Sequence, residues 1–275
     1  MYRFREIMAP DVRNNSTFFI LTEKMGKGKC YEVKTMANSN ETASSLHKGH
    51  RQRLRNRFLS EGLDGFTDVQ VLELLLFYAI PRQDTNELAH RLLKHFGSLA
   101  RVMDAYPSEL ERIGGISTNT AALLNLAAQL SRRYSISNQS QGRIIRSTTD
   151  YCQYLTSYFI GRRDEMVFLL CMDAKNQVMC CREISRGSVN AAAVSVRKVV
   201  QTALTENAIQ VVLAHNHPSG LAVPSADDIV TTRRVAMALD AVGVALVDHV
   251  VVADQDCVSM AASGLYDPES CRVIV

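Results

Sequence analysis

Residues 209–228 read IQVVLAHNHPSGLAVPSADD. The first six are apolar apart from Gln210 and rich in β-branched side chains, which predicts a short buried strand. Side chains two apart on a strand project to the same side. His215 and His217, on the strand's direct extension, therefore face one point. Pro218, Ser219 and Gly220 turn the chain, and Pro224 and Ser225 open a helix. Asp228 falls one turn into that helix, on the path back to the two histidines. Two imidazoles and one carboxylate are three ligands, and a fourth position left to water is the pattern of a catalytic zinc rather than a structural one. One Zn2+ per chain is expected.

The same residues have plainer uses. Ser225-Ala226-Asp227-Asp228 is also an S-x-x-D helix start, with the serine as cap and the acids well placed on the helix dipole. An isolated His-x-His commonly lies in a turn or on a surface. The conjunction favours the metal: His-x-His, seven residues, Ser, two residues, Asp, in a strand–turn–helix context. Asp227 points about 100° away from Asp228 on the helix and is expected in solvent.

The pattern resembles the JAMM signature of the MPN metalloprotease superfamily, and its surroundings narrow the match. Residues 214–220 (AHNHPSG), Pro224 and Ser225, and residues 246–249 (LVDH) resemble the RadC family of bacterial proteins. The likeness extends to residues 182–188 (REISRGS), 196–203 and 47–128. It implies a C-terminal MPN/JAMM domain of cytidine-deaminase-like kind, a mixed α/β sheet with flanking helices, preceded by a small all-α helix-hairpin-helix domain. It also implies that His215, His217 and Asp228 bind zinc, that Glu183 handles the proton of the attacking water, and that Ser225 helps to stabilise the oxyanion. A carboxylate within reach of that water can take its proton and pass it to a leaving amine. Read from its neighbours alone, Glu183 is a solvated strand-end acid paired with Arg182 or Arg186. Two roles are open to Ser225, capping the helix and donating to an oxyanion. Asp248 or His249 could orient a ligand from behind, though His249, in an apolar strand-like run, is first expected as a packed histidine.

Composition suits a folded enzyme. The chain has 275 residues, 47% of them hydrophobic and 21% charged, without a low-complexity block, so most of it is expected to fold in two domains. No apolar run approaches the ~20 residues of a membrane helix, and residues 18–21 are too short for a signal-peptide core. Seven cysteines, an odd number without C-x-x-C spacing, argue against a disulfide framework and for a reducing cytoplasm.

Organisation changes along the chain near residues 46, 135 and 147. Residues 1–46 lack sustained periodicity and are expected to be poorly ordered, with Met36 a candidate native start. Residues 47–134 read as helical, with strong signals at 68–78 and 86–96. Residues 135–146 (SISNQSQGRIIR) read as a linker, and 147–270 alternate strands and helices as an α/β domain does.

The helical region carries a hint of DNA binding. Lys48, Arg51, Arg53, Arg55 and Arg57 occur with no acidic residue before Glu61, a density suited to phosphate contacts. With a net charge of +3 for the whole chain, that field is local. Residues 110–117 (LERIGGIS) and 121–124 resemble a helix-hairpin-helix, whose turn offers backbone N–H groups to DNA. Ser117 stands where a second glycine is usual, and its Cβ limits a phosphate's approach. Two functions follow: a zinc hydrolase acting on a protein or peptide, or a DNA-associated module whose metal fold is a scaffold.

Overall fold

The computed structural model describes residues 7–10, 18–24, 30–35, 39–139, 142–187, 194–254, 256–270 and 272–273. The chain divides into two compact units, Met1–His95 and Phe96–Val275. The helices expected as one domain over 47–134 are thus shared between them.

In the first unit, strands β1 (Ile7–Pro10), β2 (Phe18–Lys24) and β3 (Cys30–Thr35) form an antiparallel sheet in the order β1-β2-β3. The expectation of a poorly ordered 1–46 falls in large part on residues outside those described, which before Ser39 are all but these strands. Each strand is 4–7 residues long, too short to register as periodicity in a helix-sized window.

Helices α1 (Ser39–Glu61), α2 (Asp68–Ala79) and α3 (Asn86–Phe96) follow, the last two matching the apolar signals. Two arginines of the basic run are occupied within this unit. Arg51 donates to Ile80 O at 2.7 Å and Pro81 O at 2.9 Å while lying 4.6 Å from the centre of the Phe77 ring. Arg57 pairs with Glu61 at 3.1 Å and donates to Gly65 O at 2.6 Å. Arg51 therefore satisfies carbonyls beyond the C-terminus of α2, and the phosphate-binding reading loses two of its four arginines.

In the second unit, α4 (Leu99–Asp104), α5 (Pro107–Leu110) and α6 (Thr118–Ser137) precede α7 (Thr148–Phe159). The turn before α6 holds Gly115 at φ 96°, which suits glycine. Ser117 is the N-cap of α6, accepting from Thr120 N–H at 3.3 Å. At the position where a phosphate-binding hairpin usually has glycine, the serine oxygen is thus engaged by its own helix. The linker expected over 135–146 is corrected in part. Its first three residues end α6, while Ile145 N–H donates to Asn176 O at 2.9 Å and Val178 N–H to Arg143 O at 2.8 Å. The segment is stitched to the sheet because Ile145 has a buried place in the core.

The sheet runs β5-β4-β6-β7-β8, from β4 (Met166–Met172), β5 (Val178–Arg186), β6 (Gln210–Asn216), β7 (Ala245–Ala253) and β8 (Asp256–Ser259). Only β6 and β7 pair in parallel, joined by α9 (Ala226–Asp240), and the other neighbours are antiparallel. A mixed α/β sheet with flanking helices was the expectation, and it is what the chain forms. A short pair, β9 (Tyr266–Asp267) and β10 (Arg272–Val273), follows.

Strand alternation sorts the core. Val167, Leu169, Val211 and Leu213 pack against Val199 of α8 (Val196–Thr205) and Val235 and Leu239 of α9. Phe168, Leu170, Val212 and Val250 pack on the other face against Tyr151, Leu155 and Phe159 of α7. Each such burial contributes about 1.5–3 kcal/mol. His215 shares the parity of Val211 and Leu213, so it belongs to the α9 face.

The expectation against a disulfide framework stands beside one disulfide that cysteine spacing did not announce. Cys152 of α7 and Cys257 of β8 are bonded, with Cα atoms 5.9 Å apart across 105 residues of sequence. Such a pair is invisible to local spacing because the sheet, not the sequence, brings it together. Replacing Cys257 by Ser is expected to cost about 2–4 kcal/mol in denaturant unfolding under oxidising conditions. An unchanged midpoint would show that the bond contributes nothing. Among the described residues, no helix is long and apolar enough to cross a membrane.

Candidate metal centre

The centre lies where β6 ends and α9 begins. The pairing of β6 with β7 continues past Asn216, since His217 N–H donates to Val252 O at 2.8 Å. That keeps the strand extended and puts the two imidazoles on one side, as the spacing predicts. Gly220, at φ 83°, closes the turn with its N–H on His217 O at 3.1 Å. Ser225 caps α9, and Asp228 comes round to the histidines. His215 Nε2 lies 3.0 Å from His217 Nε2 and 3.1 Å from Asp228 Oδ1, and His217 Nε2 lies 3.6 Å from Asp228 Oδ2. His215 and Asp228 are buried, whereas His217 is one-fifth exposed and forms the open side.

The hydrogen bonds accommodate tautomers that leave both inward nitrogens free. Thr232 Oγ1 donates to Asp228 O at 2.6 Å, so its lone pair receives Nδ1–H of His249, also at 2.6 Å. His249 Nε2 is then an acceptor, and at 2.9 Å it takes Nδ1–H of His215. Burial agrees, holding His249 well below the ordinary histidine range and hence neutral. On the other side, His217 Nδ1–H donates to Leu221 O at 3.1 Å. Both Nε2 atoms are left with bare lone pairs pointing inward.

Those lone pairs meet an anion. Burial opposes ionisation of Asp228; a proton on His215 and the donors of Ser225 would hold its carboxyl below the usual range, and a cation bound in place of that proton acts in the same direction. Ser225 N–H and Ser225 Oγ–H both reach Asp228 Oδ2 at 2.6 Å. Asp228 Oδ1 is buried with no hydrogen-bond partner. An unsatisfied buried oxygen facing two imidazole lone pairs is costly unless a cation sits among them. Tetrahedral zinc with bonds near 2.0–2.1 Å separates its ligand atoms by ~3.3 Å. The three donors fit a metal ion.

The structure does not bring Glu183 to this site. Glu183 is paired with Phe168, on the α7 side of the sheet, and is bound through both oxygens to Arg186 at 3.2 and 2.9 Å. A bulge between Val167 and Phe168 lets Ile184 turn to the α9 face in its stead. The carboxylate that does face the site is Glu165. Val167 pairs with His215 in antiparallel register, so two residues further along, Glu165 stands opposite His217 on the same face. Asn216 secures that edge, accepting from Met166 N–H at 2.8 Å and donating to Asp164 O at 3.1 Å. Burial pushes the half-buried Glu165 carboxyl up, His215 and His217 would pull it down if protonated, and the charge of Asp228 raises it. Burial prevails.

Residues 145–265 match the model of the family described as "RadC-like JAB domain". A UPF0758 protein of Rhodobacter capsulatus is 36% identical over 212 residues, covering 77% of this chain and 99% of its own length. Others from Geobacillus sp. (strain WCH70) and Fusobacterium nucleatum are 35% and 32% identical, covering 77% and 80% of this chain and 94% and 97% of their own lengths. The chain belongs to the RadC family. The JAB domain of this RadC-family chain begins just before α7 and contains every residue of the candidate metal centre, whereas the α4–α6 helices lie ahead of it.

Sequence reading missed three contributors, Glu165, Asn216 and Thr232, and left His249 unresolved. The signal for Glu165 was the acidic pair Asp164-Glu165 directly before the all-apolar MVFLLCM strand. Asp248 proves to serve the other face, binding Tyr151 and Ser259. Since His249 sets the tautomer of His215, His249→Ala is expected to weaken metal affinity ~10–100-fold, read by competition with a chromophoric chelator. Unchanged affinity would mean that His215 is oriented without it.

Proposed function

We propose that the chain is a zinc-dependent metallohydrolase of JAMM type that cleaves peptide or isopeptide bonds. One observation carries the reading: two imidazole nitrogens and a buried carboxylate oxygen without a hydrogen-bond partner converge on one point. A two-nitrogen, one-oxygen set suits zinc, because calcium and magnesium favour all-oxygen shells. His215, His217 and Asp228 would hold the ion, which supplies a Lewis acid for the scissile carbonyl and lowers the pKa of water toward ~7.

The remaining chemistry belongs to the chain. Glu165, half-buried opposite His217, accepts the proton of the attacking water and returns it to the departing amine. Its carboxyl is pushed up by burial, toward the range in which both transfers are easy. Ser225 takes the first of the two roles open to it: its oxygen caps α9 by accepting from Asp228 N–H at 3.2 Å, and its hydroxyl donates to Asp228 Oδ2 and steadies that carboxylate. The exposed edge of His217 is where a substrate reaches the centre.

The test is a zinc-loaded protein incubated with a complex peptide mixture, with new termini counted by mass spectrometry. Termini produced by the native chain and absent from His215→Ala support hydrolysis. No difference between the two, with peptides and isopeptide-linked conjugates alike, contradicts it.

A further inference from the structure

A second polar cavity lies in the Phe96–Val275 unit, with a volume of about 260 Å³. It is lined by the guanidinium groups of Arg132, Arg162, Arg163 and Arg186 against the carboxylates of Asp104 and Asp164. Counting Glu109 and Glu183, four carboxylates stand against the four guanidiniums, but they are not paired one to one. Arg186 is held by Glu183 and Arg163 by Glu109. Asp164 accepts from Tyr106 Oη at 2.6 Å. Arg132 and Arg162 have no carboxylate within ion-pair distance among the described residues. Arg132 gives one N–H to Ile160 O at 2.8 Å, and Arg162 Nε is buried with no partner. Burial first, then the charge of the neighbouring guanidiniums, lowers the proton affinity of both. A folded chain gathers like charges at a cost, and a buried donor atom left without a partner adds to it.

We propose that this cavity binds the phosphoryl group of a phosphate ester. Guanidinium forks match tetrahedral phosphate oxygens, and a phosphoryl group accepts from several arginines at once, where a carboxylate satisfies one fork. The volume lies just under the ~300–1,000 Å³ of pockets for drug-sized ligands. It suits a phosphoryl group and the atoms next to it. The arginines come from three places: α6, the residues after α7, and the end of β5. Their placement is firm, because Tyr106, Asp164, Arg163 and Glu109 interlock at the rim. Asn216, between the two metal-centre histidines, donates to Asp164 O, so one wall is fastened to the strand of that centre.

The proposal stands apart from hydrolysis and is tested without it. Inorganic phosphate and pyrophosphate are titrated calorimetrically into the full chain in phosphate-free buffer. Saturable one-to-one binding is expected, about tenfold or more weaker in Arg162→Gln and largely restored in Arg162→Lys. Arg186→Gln, at an exposed position, gives a second reading should Arg162→Gln fail to fold. Oligonucleotides with and without a 5′ phosphate identify the source: dependence on that phosphate marks a terminal monoester, and equal binding, still lost in the arginine variants, marks a backbone diester. Absence of saturable binding of either anion overturns the proposal. So does binding unchanged in the arginine variants, or binding that disappears in His217→Ala, which would place the anion at the metal centre.

Discussion

Glu165→Gln is expected to lower peptide-bond hydrolysis by ~10²-fold or more, the scale of losing a general base, while zinc content and unfolding temperature stay at native values. The amide keeps the shape of the side chain and removes only its capacity to take a proton. Glu165 enters through the register of β4 on β6: Val167 opposite His215 places Glu165 opposite His217. The Gly187 N–H on its carbonyl at 2.8 Å and the Asn216 contacts on either side of it fix the backbone there. Glu183→Gln is the paired control. It breaks an exposed ion pair with Arg186, so turnover is expected to remain near native. A Glu183 variant that is inactive beside an active Glu165 variant would reverse the assignment.

The second large effect concerns the opposite face of β7. Asp248 is fully buried and receives four donors: Tyr151 Oη, Ser259 Oγ, His249 N–H at 2.7 Å and Ala261 N–H at 2.9 Å. It joins α7, β7 and the chain after β8. Burial and the hydrogen bond to Asp248 push the Tyr151 phenol up to about 12, so it remains a donor throughout the neutral range. Asp248→Ala would strand all four donors, at about 1–3 kcal/mol for each that finds no water. The expected loss is about 4 kcal/mol or more in denaturant unfolding. Tyr151→Phe, which leaves the carboxylate three donors, should cost much less. A small loss for Asp248→Ala would mean that water replaces the carboxylate and that the cluster is not a structural anchor.

How much of this was legible follows from how local each signal is. The β6–turn–α9 unit could be read because strand parity, the turn residues and the Ser-x-x-Asp cap all act within twenty residues, and they alone bring His215, His217 and Asp228 together. Asp228 also does what the plainer reading required, since Ser225 and Asp228 form a reciprocal cap. Capping and ligation use different atoms: Oδ2 serves the cap and Oδ1 is left inward. Glu183 was misplaced because its sheet face depends on a bulge and on which strand lies beside β5, and neither is encoded near Glu183. Glu165 and His249 are neighbours of His215 through antiparallel and parallel pairing, the latter through Leu213 opposite His249. Cys152 and Cys257 meet for the same non-local reason. The basic run of α1 was visible as charge, but the carbonyls that occupy Arg51 and Arg57 were not.

The central claim is a metal ion held by His215, His217 and Asp228, and elemental analysis of purified protein tests it most directly. The account predicts about one zinc per native chain, lost in the folded His215→Ala, His217→Ala double variant and retained in Glu165→Gln. A native protein that neither contains zinc nor takes it up, or a double variant that keeps it, would contradict the account.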